Sequence, residues 1–228
     1  METVVKNQQK AVDMTKVKKK KGAQSIVREY TEAILVAVVL ALFLRTFVVQ
    51  AFKIPSESMM ETLLVGDYLL VNKFIYGIKV PFTDKFIVNF KDPKPGEVIV
   101  FRYPLDPSRD YIKRCVAVEG DTVTVRDNQL FINGRSIYEY YKLVKSPNNI
   151  HSNFGPKEVP EGHIFMMGDN RNNSADSRSW GFLDKKFLRG RALIRYFSWD
   201  KERHLPRISR IGSPIIHATD AFSTEHSK

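Results

Sequence analysis

Residues 96–137 read GEVIVFRYPLDPSRDYIKRCVAVEGDTVTVRDNQLFINGRSI, and the pattern of this stretch decides the fold. Glu97–Arg102 and Tyr111–Val118 are apolar runs rich in β-branched residues, and Thr122–Arg126, Gln129–Ile132 and Arg135–Ile137 are shorter ones. Turn formers separate them: Glu119-Gly120-Asp121, Asp127-Asn128 and Asn133-Gly134. Asn-Gly between apolar strands is the strongest short-range hairpin signal, because both positions must take positive φ. Outward from this stretch the punctuation continues. Tyr68–Val71 follows Gly66-Asp67, His163–Met167 leads into Gly168-Asp169-Asn170, and Gly190–Phe197 supplies a late strand. Beyond one apolar run near the N-terminus, no long segment has the 3.6-residue period of a helix. The expectation is a mainly β, all-β domain of short strands, sandwich or barrel in type. Lys142–Gly162, polar and rich in Pro and Asn, predicts a surface loop, and the polar tail after Ile216 predicts a frayed end.

The apolar run is Ala33–Phe52, AILVAVVLALFLRTFVVQAF, twenty residues long. As a helix that length spans about 30 Å, the thickness of a bilayer's hydrocarbon. Arg45 opposes insertion by about 2.5–3.5 kcal/mol, while the twelve Leu, Ile, Val and Phe between Ile34 and Val49 return roughly 5 kcal/mol. Arg45 also lies in the outer half, within snorkelling reach of headgroups. Insertion wins. A cleavable signal peptide has a shorter core, although Val49-Gln50-Ala51 resembles a cleavage site, and a buried core helix would show a polar face.

The chain has 228 residues, 43% hydrophobic with eleven prolines, and a net charge of +11. Residues 1–28 carry eight Lys or Arg against Glu2 and Asp13, which places +6 in that arm and leaves +5 for the rest. A nucleic-acid binder would concentrate its excess on the folded domain. Clustered cations such as Lys18–Lys21 beside a span instead hold that end in the cytoplasm. The predicted organisation is a basic cytoplasmic arm (1–28), a transmembrane helix (29–52), an extracytoplasmic β catalytic domain (53–216) with a small hairpin insertion at about 121–165, and a tail (217–228). The lone Cys115 excludes an intramolecular disulfide and a cysteine-rich metal site, and reads as a small buried strand residue.

Directly after the run comes Ile54-Pro55-Ser56-Glu57-Ser58-Met59-Met60. A serine hydroxyl needs a base before it can act as a nucleophile. His151, His163, His204, His217 and His226 lie in loops or near the C-terminus and read as surface residues. A lysine serves if apolar surroundings depress its pKa. Lys113 qualifies, since Tyr111, Cys115 and Ala117 share its face of a strand. Lys73 is a rival. The stretch Gly168–Gly181, GDNRNNSADSRSWG, has the Asx, Ser and Gly density of a tight, hydrogen-bonded loop.

Taken together these residues resemble bacterial type I signal peptidase, the leader peptidase that uses a Ser/Lys dyad. The resemblance covers residues 30 to about 212 in order: the span ending in Arg45-Thr46-Phe47, then IPSESMMETLLVGDYLLVNKFIYG, KPGEVIVFRYP, DYIKRCVAVEGD, GDNRNNSADSRSWGFL and RISRIG. It implies a coiled β-sheet or barrel behind a single span, with Ser58 as nucleophile and Lys113 as general base. It implies an oxyanion hole from the Ser58 N–H and the Ser56 hydroxyl, and a hydrogen bond from Ser174 that orients Lys113. Asp176 and Arg178 resemble the supporting ion pair. Phe52, Ile54, Met59, Leu63, Tyr111 and Ile112 would line shallow pockets for small substrate residues at −1 and −3. Glu57 and Glu61 depart from the family's frequent small residue and proline, and the segment after DYIKRCVAVEGD is short enough to leave little more than the Asn133-Gly134 hairpin as an insertion.

What the resemblance implies is a membrane-bound serine endopeptidase that removes signal peptides from secretory preproteins through an acyl-enzyme. Its setting would be the bacterial inner membrane, with the catalytic domain on the periplasmic or extracellular side. Its partners would be preproteins and the lipid bilayer, not nucleic acid, and no metal or organic cofactor is implied. Two other readings are a cytosolic self-cleaving repressor relative, which lacks a span, and a non-enzymatic membrane-anchored β-domain acting as scaffold or receptor.

Overall fold

A computed structural model describes residues 26–41, 49–79, 86–142 and 153–223. The chain divides into two compact units, Met1–Phe47 and Val48–Lys228.

In the first unit, helix α1 covers 26–41. Its side chains are exposed throughout, and they include Ile34, Leu35, Val38 and Val39, each half exposed or more. Arg28 and Glu32 pair one turn apart. Among the described residues no helix is long and apolar enough to cross a membrane. The basic residues before Ser25 and the Arg45 position lie outside the described residues. The far end of the expected span is corrected. Val49–Phe52 belong to strand β1 (Val49–Lys53), which pairs antiparallel with β2 (Asp67–Asn72), Phe52 opposite Leu69. β-Branched Val49 and the polar Gln50 and Lys53 suit a pleated edge, and the backbone of β2 there needs hydrogen-bond partners.

The second unit is mainly β, as expected. In chain order it continues with β3 (Gly77–Lys79), β4 (Phe86–Asn89), β5 (Val98–Tyr103), β6 (Asp106–Val118), β7 (Thr122–Arg126), β8 (Gln129–Ile132), β9 (Arg135–Ser136) and β10 (Phe154–Glu158). After these come β11 (His163–Met167), helix α2 (Ser177–Trp180), β12 (Leu183–Asp184), β13 (Leu188–Asp200), β14 (Leu205–Pro206) and β15 (Ser213–Pro214). A nine-stranded sheet runs β1-β2-β13-β5-β6-β11-β12, with β14 and β15 attached to β13. The path does not close on itself among the described residues, so the barrel expectation gives way to a coiled open sheet. β3 and β4 form a separate two-stranded antiparallel sheet.

The Asn133-Gly134 turn joins β8 to β9, with φ of 52° and 79°. Asp127-Asn128 closes β7 onto β8 in the same left-handed region. The insertion is larger than a hairpin, however. β10-β7-β8-β9 make a four-stranded sheet. Part of the expected 142–162 loop is therefore strand β10, while 143–152 and His151 lie outside the described residues. β10 pairs with β7 about thirty residues earlier in the chain, Phe154 opposite Val125, and Phe154 also packs on Phe165 of β11 at 4.7 Å, a contact with no local signal. Residues 217–223 of the tail are also packed against the domain. The Ala218 N–H donates to the Gly96 carbonyl, and Phe222 packs against the core under the small sheet. His226 lies outside the described residues.

Three core clusters line the sheets. One gathers Ile54, Met59, Leu63, Val71, Val100 and Ile112; a second holds Ile99, Phe101, Cys115 and Met166; the third sits between the large and small sheets around Val116, Val123, Leu130 and Phe165. Cys115 is fully buried, as expected, and burial pushes its thiol pKa up. β6 is the strand common to all three, since Ile112 to Ala117 are buried on both faces. A polar side chain placed there is taken out of water by the fold itself.

Candidate active site

Lys113 is that polar side chain. It stands on β6 opposite Ile99 of β5 and is 3% exposed. Ser58 comes from the turn that follows β1. Backbone bonds Ile54 N–H to Asp67 and Gly66 N–H to Ile54 close the base of this turn. The Met60 N–H donates to Glu57 and the Leu63 N–H to Met59, which shapes its tip. Met59 and Leu63, with no exposed surface, pin the tip to the core.

Here the two meet. Lys113 Nζ lies 2.7 Å from Ser58 Oγ, and it also donates to the Ile112 carbonyl at 3.0 Å. Ser56 Oγ is 3.3 Å from Ser58 Oγ. Burial lowers the Lys113 pKa from its ordinary 10.5 to about 8, against the opposing pull of the Asp176 and Asp169 carboxylates. Desolvation thus prevails over two nearby negative charges. Tyr111 stacks on Tyr103 at 4.3 Å, nearly parallel, and its ring centroid is 5.2 Å from the amine. Lys73, the rival, lies past the end of β2, where burial and Arg189 lower its pKa; of the two lysines it is Lys113 that reaches Ser58. His217 is not the surface residue expected. It is half-buried, and its Nδ1 accepts from the Val98 N–H at 3.1 Å.

The Gly168–Gly181 loop braces the dyad from behind. Asp176 caps α2 and accepts from the Gly168 N–H at 3.0 Å. Arg178 grips both of its oxygens, Nε at 2.8 Å and Nη2 at 2.9 Å. Burial alone would raise the Asp176 pKa, but the Arg178 bonds and charge bring it below the usual carboxylate value. Ser174 departs from expectation. Its buried Oγ makes no hydrogen bond to Lys113 among the described residues, and it helps lower the Asp176 pKa instead. The rotamer turns Oγ toward Gly168, where any Cβ would collide with it and come within 2.5 Å of the Ser58 carbonyl oxygen. Gly168 is required for that approach.

The expected lining residues separate into two groups. Phe52, Ile54, Met59, Leu63 and Ile112 form one cluster, whereas Tyr111 packs in the neighbouring one. Met59 and Leu63 are fully buried, so they underlie the surface instead of facing it; the chain turns them inward to anchor the tip.

Several residues escaped the sequence reading. Arg114, next to Lys113, makes a two-pronged bond to Asp169 (2.9 and 2.7 Å), and both side chains are fully buried. Thr62 adds its hydroxyl to Asp169 at 2.6 Å, tying the Ser58 turn to the loop. Arg171 pairs with buried Glu139 and donates from Nε to the Gly168 carbonyl. Asn170 bonds the Ser58 turn directly. The available signal was an Arg beside a Lys in an otherwise apolar strand, but which acid would meet it is a long-range fact.

A family model described as "Signal peptidase, peptidase S26" matches residues 27–199, a stretch that contains Ser58, Lys113, Ser174, Asp176 and Arg178. The chain belongs to this family. It is an S26 serine peptidase, a hydrolase. This S26 peptidase is 39% identical over 231 residues to a signal peptidase I of Pseudomonas fluorescens, covering 85% of this chain and 81% of that one. A signal peptidase I of Pseudomonas aeruginosa is 37% identical over 240 residues, covering 88% and 83%. A crystal structure of a signal peptidase I from Enterococcus faecalis V583 is 32% identical, covers 45% of this chain and 98% of that one, and superposes with a TM-score of 0.39.

Proposed function

We propose that this S26 peptidase is a membrane-bound serine endopeptidase that removes N-terminal signal peptides from secreted preproteins, cleaving after small residues at −3 and −1 by a Ser58/Lys113 dyad. The observation that carries this reading is the 2.7 Å contact between a buried lysine amine and a serine hydroxyl, with the amine's pKa brought down to about 8. At pH 7 a pKa near 8 leaves about a tenth of the amine neutral, roughly 300-fold more than a pKa of 10.5 would leave.

Neutral Lys113 accepts the Ser58 proton as Oγ attacks the scissile carbonyl carbon. The Ser58 N–H and the Ser56 hydroxyl stabilise the oxyanion. The C–N bond then breaks, Lys113 passes its proton to the leaving amine, and Ser58 holds the signal peptide as an ester. Water, deprotonated by the same lysine, hydrolyses that ester and restores the serine. Asp176 and Arg178 hold the loop behind the base. β1 lies at the end of the sheet path, and an extended substrate segment can add to such an edge. Phe52, Tyr111 and the edge of Ile112 offer it shallow apolar contacts, with Ile54, Met59 and Leu63 as the underlying floor.

The membrane part of the reading rests on α1, whose apolar side chains are exposed, and on the Lys18–Lys21 cluster before it. The setting is the bacterial inner membrane, with the N-terminus cytoplasmic and the catalytic unit on the other side. The test is precursor cleavage in detergent by the full chain and its Ser58→Ala variant. Cleavage by the first and none by the second is expected. Undiminished cleavage by Ser58→Ala would refute the dyad, and no cleavage by either would refute the peptidase reading.

A further inference from the structure

Asn170 is 1% exposed and lies at the start of the Gly168–Gly181 loop, behind Ser58. It touches the nucleophile's turn twice. Its backbone N–H donates to the Ser58 carbonyl at 3.1 Å, and its side-chain Nδ2 donates to the Glu57 carbonyl at 3.1 Å. The two carbonyls belong to the peptide units on either side of the Ser58 Cα. Met60 N–H also donates to the Glu57 oxygen, at 2.9 Å, so this carbonyl accepts two bonds. The other end of the same peptide unit is the Ser58 N–H, which makes no hydrogen bond among the described residues.

The carboxamide is also an expensive residue to keep here. Its Oδ1 is buried without a hydrogen-bond partner among the described residues. Leaving such a group unmet costs about 1–3 kcal/mol, so packing alone favours an apolar side chain of the same size. What an apolar replacement would lose is the bond to Glu57. A carbonyl can only accept, which fixes Nδ2 toward it.

We infer that Asn170 is a positioning residue for the oxyanion hole: it clamps both peptide units flanking Ser58 so that the Ser58 N–H is held, and polarised, toward the developing negative charge. The inference rests on the Ser58/Lys113 reading above and adds a residue to it. A peptide unit is planar, so fixing its carbonyl fixes the direction of its N–H. A bond accepted at the carbonyl also strengthens the donor at the opposite end. Preorganisation of this kind acts on the transition state and not on substrate binding.

The test uses the full chain in detergent, with steady-state cleavage of a precursor by wild type, Asn170→Ala and Asn170→Asp. Alanine keeps the backbone bond and removes the Glu57 bond; aspartate keeps the shape but cannot donate. Expected for Asn170→Ala is a kcat lower by about 10- to 100-fold, below the full effect of deleting an oxyanion donor, with KM unchanged within about twofold. Its rising pH limb should not move, because no charge near Lys113 changes. Asn170→Asp should lose at least as much kcat. Combined with Ser56→Ala, Asn170→Ala should cost less than the product of the separate effects, since both act on one oxyanion. Unchanged kcat in either folded variant, a loss confined to KM, a shifted pH limb in Asn170→Ala, or fully multiplicative effects would overturn the inference. Failure of both variants to fold would overturn it too, making Asn170 a stability residue. The dyad reading fails separately, if Ser58→Ala still cleaves.

Discussion

Replacing Tyr111 by Asp tests the lysine base through its pKa. The Tyr111 ring centroid is 5.2 Å from Lys113 Nζ, so a carboxylate at that position lies about 5 Å from the amine. At that distance Coulomb attraction is roughly 3 kcal/mol at an effective dielectric of 20 and about 1 kcal/mol at that of water. Tyr111 is partly exposed, which puts the value between the two, near 1.5 kcal/mol, or about one pKa unit. The sign is upward, because a nearby carboxylate favours the charged amine. Loss of the Tyr103 stack would admit water to Lys113 and push in the same direction. The amine's pKa should therefore rise from about 8 to about 9, and its neutral fraction at pH 8 should fall from about a half to about a tenth. The expected result is a pH profile of kcat/KM whose rising limb moves up by about one unit, with activity at pH 8 down about fivefold and recovered above pH 10. Tyr111→Phe, which keeps the stack and adds no charge, should leave the limb in place. A limb that stayed put in folded, active Tyr111→Asp protein would show that Lys113 is not the titrating base.

Lys113→Met should abolish cleavage and stabilise the fold. Folded Lys113 gives up its proton near pH 8 and unfolded Lys113 near 10.5, so the unfolded chain holds the extra proton between those values and stability rises with pH across that window. Below pH 8 the penalty is full, about 3 kcal/mol, and the lost bonds to Ser58 and Ile112 offset part of the gain. Denaturant unfolding should show the variant about 1–3 kcal/mol more stable at pH 7, with the advantage gone above pH 10.5; a less stable variant at pH 7 would contradict the desolvation account. Ser56→Ala should lower kcat by roughly 10²–10³ with little change in KM, and a change in KM alone would make Ser56 a binding residue. Arg114→Ala leaves the Asp169 carboxylate buried and unpaired and should cost about 3–5 kcal/mol in unfolding experiments, whereas a cost under about 1 kcal/mol would mean the pair is solvated.

The β class was legible because its evidence is local. Asn133-Gly134 and Asp127-Asn128 are turns by their own φ preferences, and the runs between them are strands by composition. Lys113 could be proposed as base for the same reason, since a lysine inside Tyr111–Val118 can hardly avoid apolar neighbours. What stayed hidden depended on which distant segments meet. The sequence shows a mostly apolar run to Phe52, but only pairing with β2 makes Val49–Phe52 strand. It shows a polar stretch at 154–158, but the partner β7 decides that it is β10. Ser174 was assigned to Lys113 by position in a motif, and rotamer and packing turn its Oγ elsewhere. The roles of Arg114, Thr62, Asp169 and Asn170 depend on contacts across 52 to 113 positions, too far for any periodicity to encode. Local propensity and hydrophobic patterning act over a few residues and so determined the strands, the turns and the burial of Lys113. Which hydroxyl that amine would touch, and which carboxamide would hold the nucleophile's backbone, only the tertiary structure decided, because hydrogen-bond geometry exists only once distant strands are brought within 3 Å.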